Sequence, residues 1–100
     1  MLSNYFIQTI DAVSQITEID RSLILSPCRK VEVVDARSLV VYVLLSMGFY
    51  PNNIAQMMGL TRAGVYYLNS TFSNRIKANP LLSRYLSEVK KQLESNTKAI

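Results

Sequence analysis

The chain has 100 residues, 49% of them hydrophobic, and a formal net charge of +4 at pH 7, which suits one compact domain with a core and argues against a disordered segment. Its longest apolar stretch is residues 39–45, its first residues lack the pattern of a secretory signal, and its single cysteine cannot form an internal disulfide, so we expect no membrane span and no export. These features together predict a single cytoplasmic domain over residues 1–100. Histidine, the commonest general base and metal ligand, is absent. We therefore predict that the chain is not an enzyme and has no catalytic residues, metal, cofactor or small-molecule substrate.

The first third of the chain indicates two helices and a loop. Apolar residues recur at three- and four-residue spacing over residues 3–17, which predicts a first helix. Asp20 is a candidate N-cap for a short second helix over residues 20–25, and Pro27 ends it because its ring disfavours helical geometry in the residue before it. Residues 28–33 are then expected to form a loop that carries basic side chains.

The segment over residues 35–47 permits two interpretations. Its run Leu39-Val40-Val41-Tyr42-Val43 is rich in β-branched residues and is compatible with a buried strand. The length of the segment, the acidic residue at its start and Gly48 just after its end favour a buried central helix instead.

The next segment carries the strongest pattern in the sequence. Pro51 suits the first turn of a helix over residues 51–58, Gly59 ends that helix, and Thr61 is a candidate N-cap for a longer helix that continues to about residue 77. Ala55 is small where the two helices would pack closely, and a glycine turn suits two helices that cross at a steep angle. The spacing therefore predicts a helix-turn-helix over about residues 51–77.

A last helix is expected to follow Asn79 and Pro80, which together resemble a cap and a first-turn proline. It should run to about residue 93, and residues 95–100 are expected to be frayed. The predicted fold class is therefore all-α, a compact bundle of five to six helices that contains the helix-turn-helix. We expect Tyr42, Ile54, Met58, Val65, Leu68 and Phe72 to lie in one core.

Charge and helical periodicity together indicate a DNA-binding surface. Residues 29–77 hold six basic and two acidic residues, and this central concentration of positive charge is typical of a surface that faces DNA. In the second helix of the motif one stripe is apolar, and the opposite face is uncharged and polar. The candidate DNA-binding residues of this recognition helix, which could contact bases or phosphates, lie in its first turns and on that face: Thr61, Arg62, Ala63, Tyr66, Tyr67, Ser70 and Asn74.

The order of these features resembles the C-terminal DNA-binding domain of the bacterial replication initiator DnaA, within the Trp-repressor-like group of folds. The resemblance covers about residues 13–93. It rests on the following series of residues: Leu23-Ile24-Leu25-Ser26, Arg29-Lys30, Asp35-Ala36-Arg37, Tyr50-Pro51, Ile54, Gly59, Val65 and Arg75-Ile76. Thr61-Arg62-Ala63-Gly64 replaces the family's Asp-His-Thr signature, and the family's nucleotide-hydrolysing module has no counterpart in 100 residues.

The resemblance implies roles for the basic residues before the motif. It places Arg29 and Lys30 at the minor groove and Arg37 on a backbone phosphate, and we add Asn52 to these expected backbone contacts. The predicted function is sequence-specific binding of double-stranded DNA, as a small transcriptional regulator or replication accessory factor. The alternative is a helical protein-interaction module that keeps the fold without binding DNA, with the apolar stripe of the first or last helix available for a partner or a homodimer.

Overall fold

The computed structural model describes residues 4–98, which form six α-helices and no strand. The helices are as follows: α1 Asn4–Thr17, α2 Arg21–Ile24, α3 Val31–Ser46, α4 Pro51–Met58, α5 Arg62–Ala78 and α6 Leu81–Lys98. The predicted all-α bundle of five to six helices is therefore confirmed. Within the described residues no helix combines the length and the apolar character needed to cross a membrane.

The central element is α3, which contacts all five other helices. Nearly every residue from Val33 to Leu44 is buried, which explains why the sequence over residues 39–45 is apolar on all sides of the helix. Gly48 has φ +95°, and the N–H of Phe49 after it donates to the carbonyl of Leu44 at 3.1 Å. The residues that favoured a strand therefore form a helix, because packing on every side outweighs their weak β preference.

Helix α3 begins earlier than the sequence predicted. The expected loop over residues 28–33 ends at Lys30, whose backbone is extended and whose carbonyl accepts from the N–H groups of Val33 and Val34 at 3.0 and 2.9 Å. Glu32 then lies in the first turn, where an acidic side chain interacts favourably with the helix dipole. The predicted loop was too long because Lys30 caps the helix with its backbone alone, which leaves no side-chain signature in the sequence.

The hydrophobic core contains the residues expected to form it. Ile54, Met58, Val65, Leu68 and Phe72 are all buried in one cluster. Tyr42 is only half-buried, but it packs against that cluster, with its ring stacked on Phe72 at a centroid distance of 4.5 Å. This stacked pair joins α3 directly to α5.

Helices α1 and α6 pack against each other and against α3. The sequence suggested that the apolar stripe of α1 or of α6 could bind a partner. Both stripes instead pack within the chain, where the following residues are buried: Phe6, Ile10 and Val13 of α1, and Leu82 and Val89 of α6. Helix α6 continues to Lys98, so the predicted end near residue 93 was too early, and the tail expected to be frayed from residue 95 is helical as far as the structure describes it. Residues 99 and 100 lie outside the described part.

Candidate nucleic-acid interface

A three-residue turn, residues 59–61, joins α4 to α5. Gly59 has φ +67° and ψ +31°, the left-handed conformation that glycine adopts without steric cost. The N–H of Leu60 after it donates to the carbonyl of Ala55 at 2.9 Å. Thr61 is the N-cap of α5, as the sequence predicted, because its Oγ1 accepts from the N–H of Gly64 at 2.9 Å. The start of α5 is therefore fixed by contacts that span only a few residues.

The outer face of α5 presents the side chains expected to read DNA. Seven predicted residues, including the capping threonine, are all exposed: Thr61, Arg62, Ala63, Tyr66, Tyr67, Ser70 and Asn74. The two tyrosines are 48% and 59% exposed, which decides between a core role and a surface role for their rings. Opposite them, Val65, Leu68 and Phe72 are buried.

Arg62 and Tyr66 form a pair on the surface of α5. The guanidinium carbon of Arg62 lies 5.6 Å from the centre of the Tyr66 ring, and Arg62 Nη2 donates to the Tyr66 hydroxyl at 3.4 Å. A guanidinium over an aromatic face gains a cation–π interaction and loses part of its rotamer freedom. The pair holds an arginine fork in the first turn of the helix, with both side chains open to solvent.

A groove of about 350 Å³ separates α5 from the segment that precedes α3. We call residues 26–30 the basic loop. Arg29 of that loop, Tyr67 of α5 and Gly64 at the start of α5 all line the groove. Arg29 and Lys30 are exposed, and the side chain of neither makes a hydrogen bond or an ion pair with any residue in the described part of the chain. The fold thus brings the basic loop and α5 to one concave surface with uncompensated positive charge.

Arg37 does not take the exposed position expected of a phosphate contact. It is 8% exposed, and its Nε donates to the carbonyl of Ile24 at 2.9 Å, while its Nη2 donates to the carbonyls of Ser26 and Cys28. Burial lowers the pKa of the Arg37 guanidinium, and the nearby Cys28 thiol acts in the opposite direction. An arginine nevertheless stays protonated in proteins. The Nε and Nη2 donors of Arg37 therefore bond to backbone carbonyls, and this buried position differs from the exposed one that the resemblance implied for a phosphate contact.

Arg75 also lines the groove, although the sequence pattern did not predict it as a site residue. Its Nη1 pairs with Oδ1 of the buried Asp35 at 3.3 Å, and its Nε donates to Thr71 Oγ1 at 3.4 Å. Asn79 Nδ2 donates to the other oxygen of Asp35 at 3.4 Å. Because Asp35 offsets the charge of Arg75, this pair contributes to the wall of the groove but adds little net positive charge to it. Helical spacing could have placed Arg75 on the face of α5 that lines the groove, since it lies on one stripe with Gly64, Leu68 and Thr71.

Asn52, the remaining predicted backbone contact, is exposed in the first turn of α4 and is not among the residues that line the groove. Within residues 4–98, no three histidine, cysteine, aspartate or glutamate side chains come together in a way that could hold a metal ion. Comparisons with protein-family models, with curated proteins and with solved structures give no match.

Proposed function

We propose that this chain binds double-stranded DNA, with α5 lying in the major groove and the basic loop lying on the adjacent backbone or in the neighbouring minor groove. The observation that carries this proposal is the shared groove between the two, because it puts Arg29 and Tyr67 on one concave surface. Phosphate contacts by basic and hydroxyl side chains fix a protein on a duplex, and base contacts from the first turns of a helix select the sequence.

The chemistry of the α5 surface suits this role. Arg62 has the planar fork that can bond guanine O6 and N7 together, and its guanidinium lies over the Tyr66 ring. The exposed face is free of acidic side chains over Arg62–Ala78, so nothing on the helix repels a phosphate backbone. A small transcriptional regulator or a replication accessory factor needs no more than such a reader and its backbone contacts.

Selection from a random duplex library, followed by titration over a range of salt concentrations, tests the proposal. If Arg29, Lys30 and two or three further groups neutralise phosphates, the affinity should fall with salt with a log–log slope of about −4. Failure of every duplex to bind at low salt would reject DNA binding and favour the protein-interaction module.

Arg62→Ala tests the placement of α5. Losing a bidentate contact with one base costs about 1–3 kcal/mol at the matched position, so binding profiles over all single-base variants should lose their preference at one or two positions. Arg84→Ala is the matched control, because that arginine lies on α6 with a side chain 74% exposed and should leave the profile unchanged. Uniform weakening by Arg62→Ala, with the base preferences intact, would mean that Arg62 binds only phosphate.

A further inference from the structure

The basic loop depends on one distant side chain for its hydrogen bonds to the rest of the molecule. Arg37, in the second turn of α3, donates to the carbonyls of Ile24, Ser26 and Cys28. These three carbonyls belong to the end of α2 and to the loop, where no helical partner can satisfy them. Nε and Nη2 use three of the five N–H donors that an arginine has.

The other hydrogen bonds of the loop are local. The Ser26 hydroxyl donates to the carbonyl of Leu23 and accepts from the N–H of Cys28, and the carbonyl of Lys30 caps α3. Pro27 has no N–H to offer. Within residues 4–98, no side chain other than Arg37 forms a hydrogen bond from a distant position to residues 26–30. The apolar anchor of this region is Ile24, which lies before the loop and is fully buried.

Burial and geometry distinguish two roles for Arg37. A phosphate contact needs an exposed guanidinium, as Arg29 has, whereas Arg37 is 8% exposed and bonded to the backbone. Arg37 lines the same groove as Arg29 and Tyr67. A planar guanidinium can reach three carbonyls together, and a lysine ammonium on a flexible stem cannot hold the same fork geometry.

We infer that Arg37 is the positioning residue of the DNA interface: its guanidinium holds the basic loop beside α5, so that Arg29 and Lys30 approach the DNA backbone while α5 lies in the major groove. This inference rests on the proposed function and adds a division of labour to it. Arg29 and Lys30 carry the charge that meets phosphate, and Arg37 fixes where that charge is presented. Ordering the loop before binding removes an entropic cost from the complex.

A charge-preserving double-mutant cycle tests the inference. Arg37→Lys keeps the positive charge, and Arg29→Ala/Lys30→Ala removes the charges that the loop presents. Because Arg37 acts through the loop, we expect Arg37→Lys to weaken duplex binding about tenfold in the wild-type background and less than about twofold in the double-alanine background. A direct phosphate contact predicts instead that Arg37→Lys binds nearly as well as the wild type, or loses the same factor in both backgrounds, and either result would overturn the inference.

Wild-type protein supplies a second measurement if Arg37→Lys does not fold, which circular dichroism will show. The Arg37 Nε–H signal in a ¹H–¹⁵N NMR spectrum should be protected from exchange in the free protein, and it should move little when duplex is added, while the Arg29 Nε–H signal shifts. A large shift confined to Arg37 would overturn the inference. If no duplex binds the wild type, the proposed function itself fails, whereas duplex binding without coupling between Arg37 and the loop rejects the positioning role alone.

Discussion

The segments that lead into α3 and α5 are held in different ways, although both border the same groove. The turn over residues 59–61 is held by its own backbone and by the Thr61 cap, through contacts that span three to five residues. The basic loop is held by Arg37, whose carbonyl partners lie 9 to 13 residues away in the chain. One half of the proposed interface is therefore determined by local conformation and the other by a long-range contact that exists only in the folded protein.

Because the two segments are held differently, substitutions in them should have different costs in stability. Changes at the glycine turn alter the conformation of a short peptide, so their cost should be modest and confined to the start of α5. Changes at Arg37 leave the carbonyl of the buried Ile24 and the part-buried carbonyls of Ser26 and Cys28 without this partner, and an unsatisfied buried polar group costs more than the average hydrogen bond contributes. We therefore expect the loop to be the more sensitive of the two segments.

The largest expected effect is that of Arg37→Ala on stability. Removal of a charged donor from three carbonyls should lower the free energy of unfolding by about 3 kcal/mol, measured by urea denaturation followed by circular dichroism. Arg84→Ala removes an equal charge from a side chain that is 74% exposed and should change stability by less than about 0.5 kcal/mol. A loss for Arg37→Ala no larger than that of this control would show that the loop is held by something else.

Gly59→Ala should have the next largest effect. A residue with a Cβ at φ +67° costs about 1–2 kcal/mol, which the same denaturation assay measures. Nothing lies within 4 Å of a Cβ built at this position, so the cost is conformational and not steric. Gln56→Ala, at an exposed position of α4, is the control that should change stability little. A loss above that of Arg37→Ala would reverse the comparison between the two segments.

Thr61→Ala should have the smallest effect of the three. Loss of the bond from the Gly64 N–H to Thr61 Oγ1 should cost about 1 kcal/mol, and Thr61→Ser should retain most of the stability because it keeps the hydroxyl. Amide exchange can localise the change: faster exchange should be confined to the first turn of α5. Faster exchange in the basic loop as well would show that the two segments are coupled, contrary to the comparison.

Local patterns in the sequence predicted the parts of the fold that local contacts determine. Gly48, Gly59 and Thr61 are each recognisable from the residues beside them, and each has the expected backbone conformation or cap. The early start of α3 was missed, because Lys30 caps that helix with its backbone and leaves no side-chain signature. The continuation of α6 to Lys98 was missed for a similar reason, since no stop signal distinguishes residues 93–98.

The candidate site was predictable on α5 and less so at the basic loop. A helical wheel suffices to place Arg62, Tyr66 and Tyr67 on an exposed face. The inward position of Arg37 depends on where the end of α2 lies relative to α3, and the pairing of Arg75 with Asp35 joins residues 40 positions apart. Such contacts arise from packing, so spacing within one helix could not predict them.

The apolar run at the centre of α3 has a consequence for the unfolded chain. Residues 39–45 contain no charge, no proline and no glycine, and a β-prone segment of that kind tends to self-associate when it is exposed. In the native state its residues other than Tyr42 and Leu45 are buried between helices, so exposing the whole run requires disruption of the core. The rate at which this protein aggregates should therefore follow the population of globally unfolded molecules. Variants that destabilise the core should aggregate faster even when the exposed surface of α5 is unchanged.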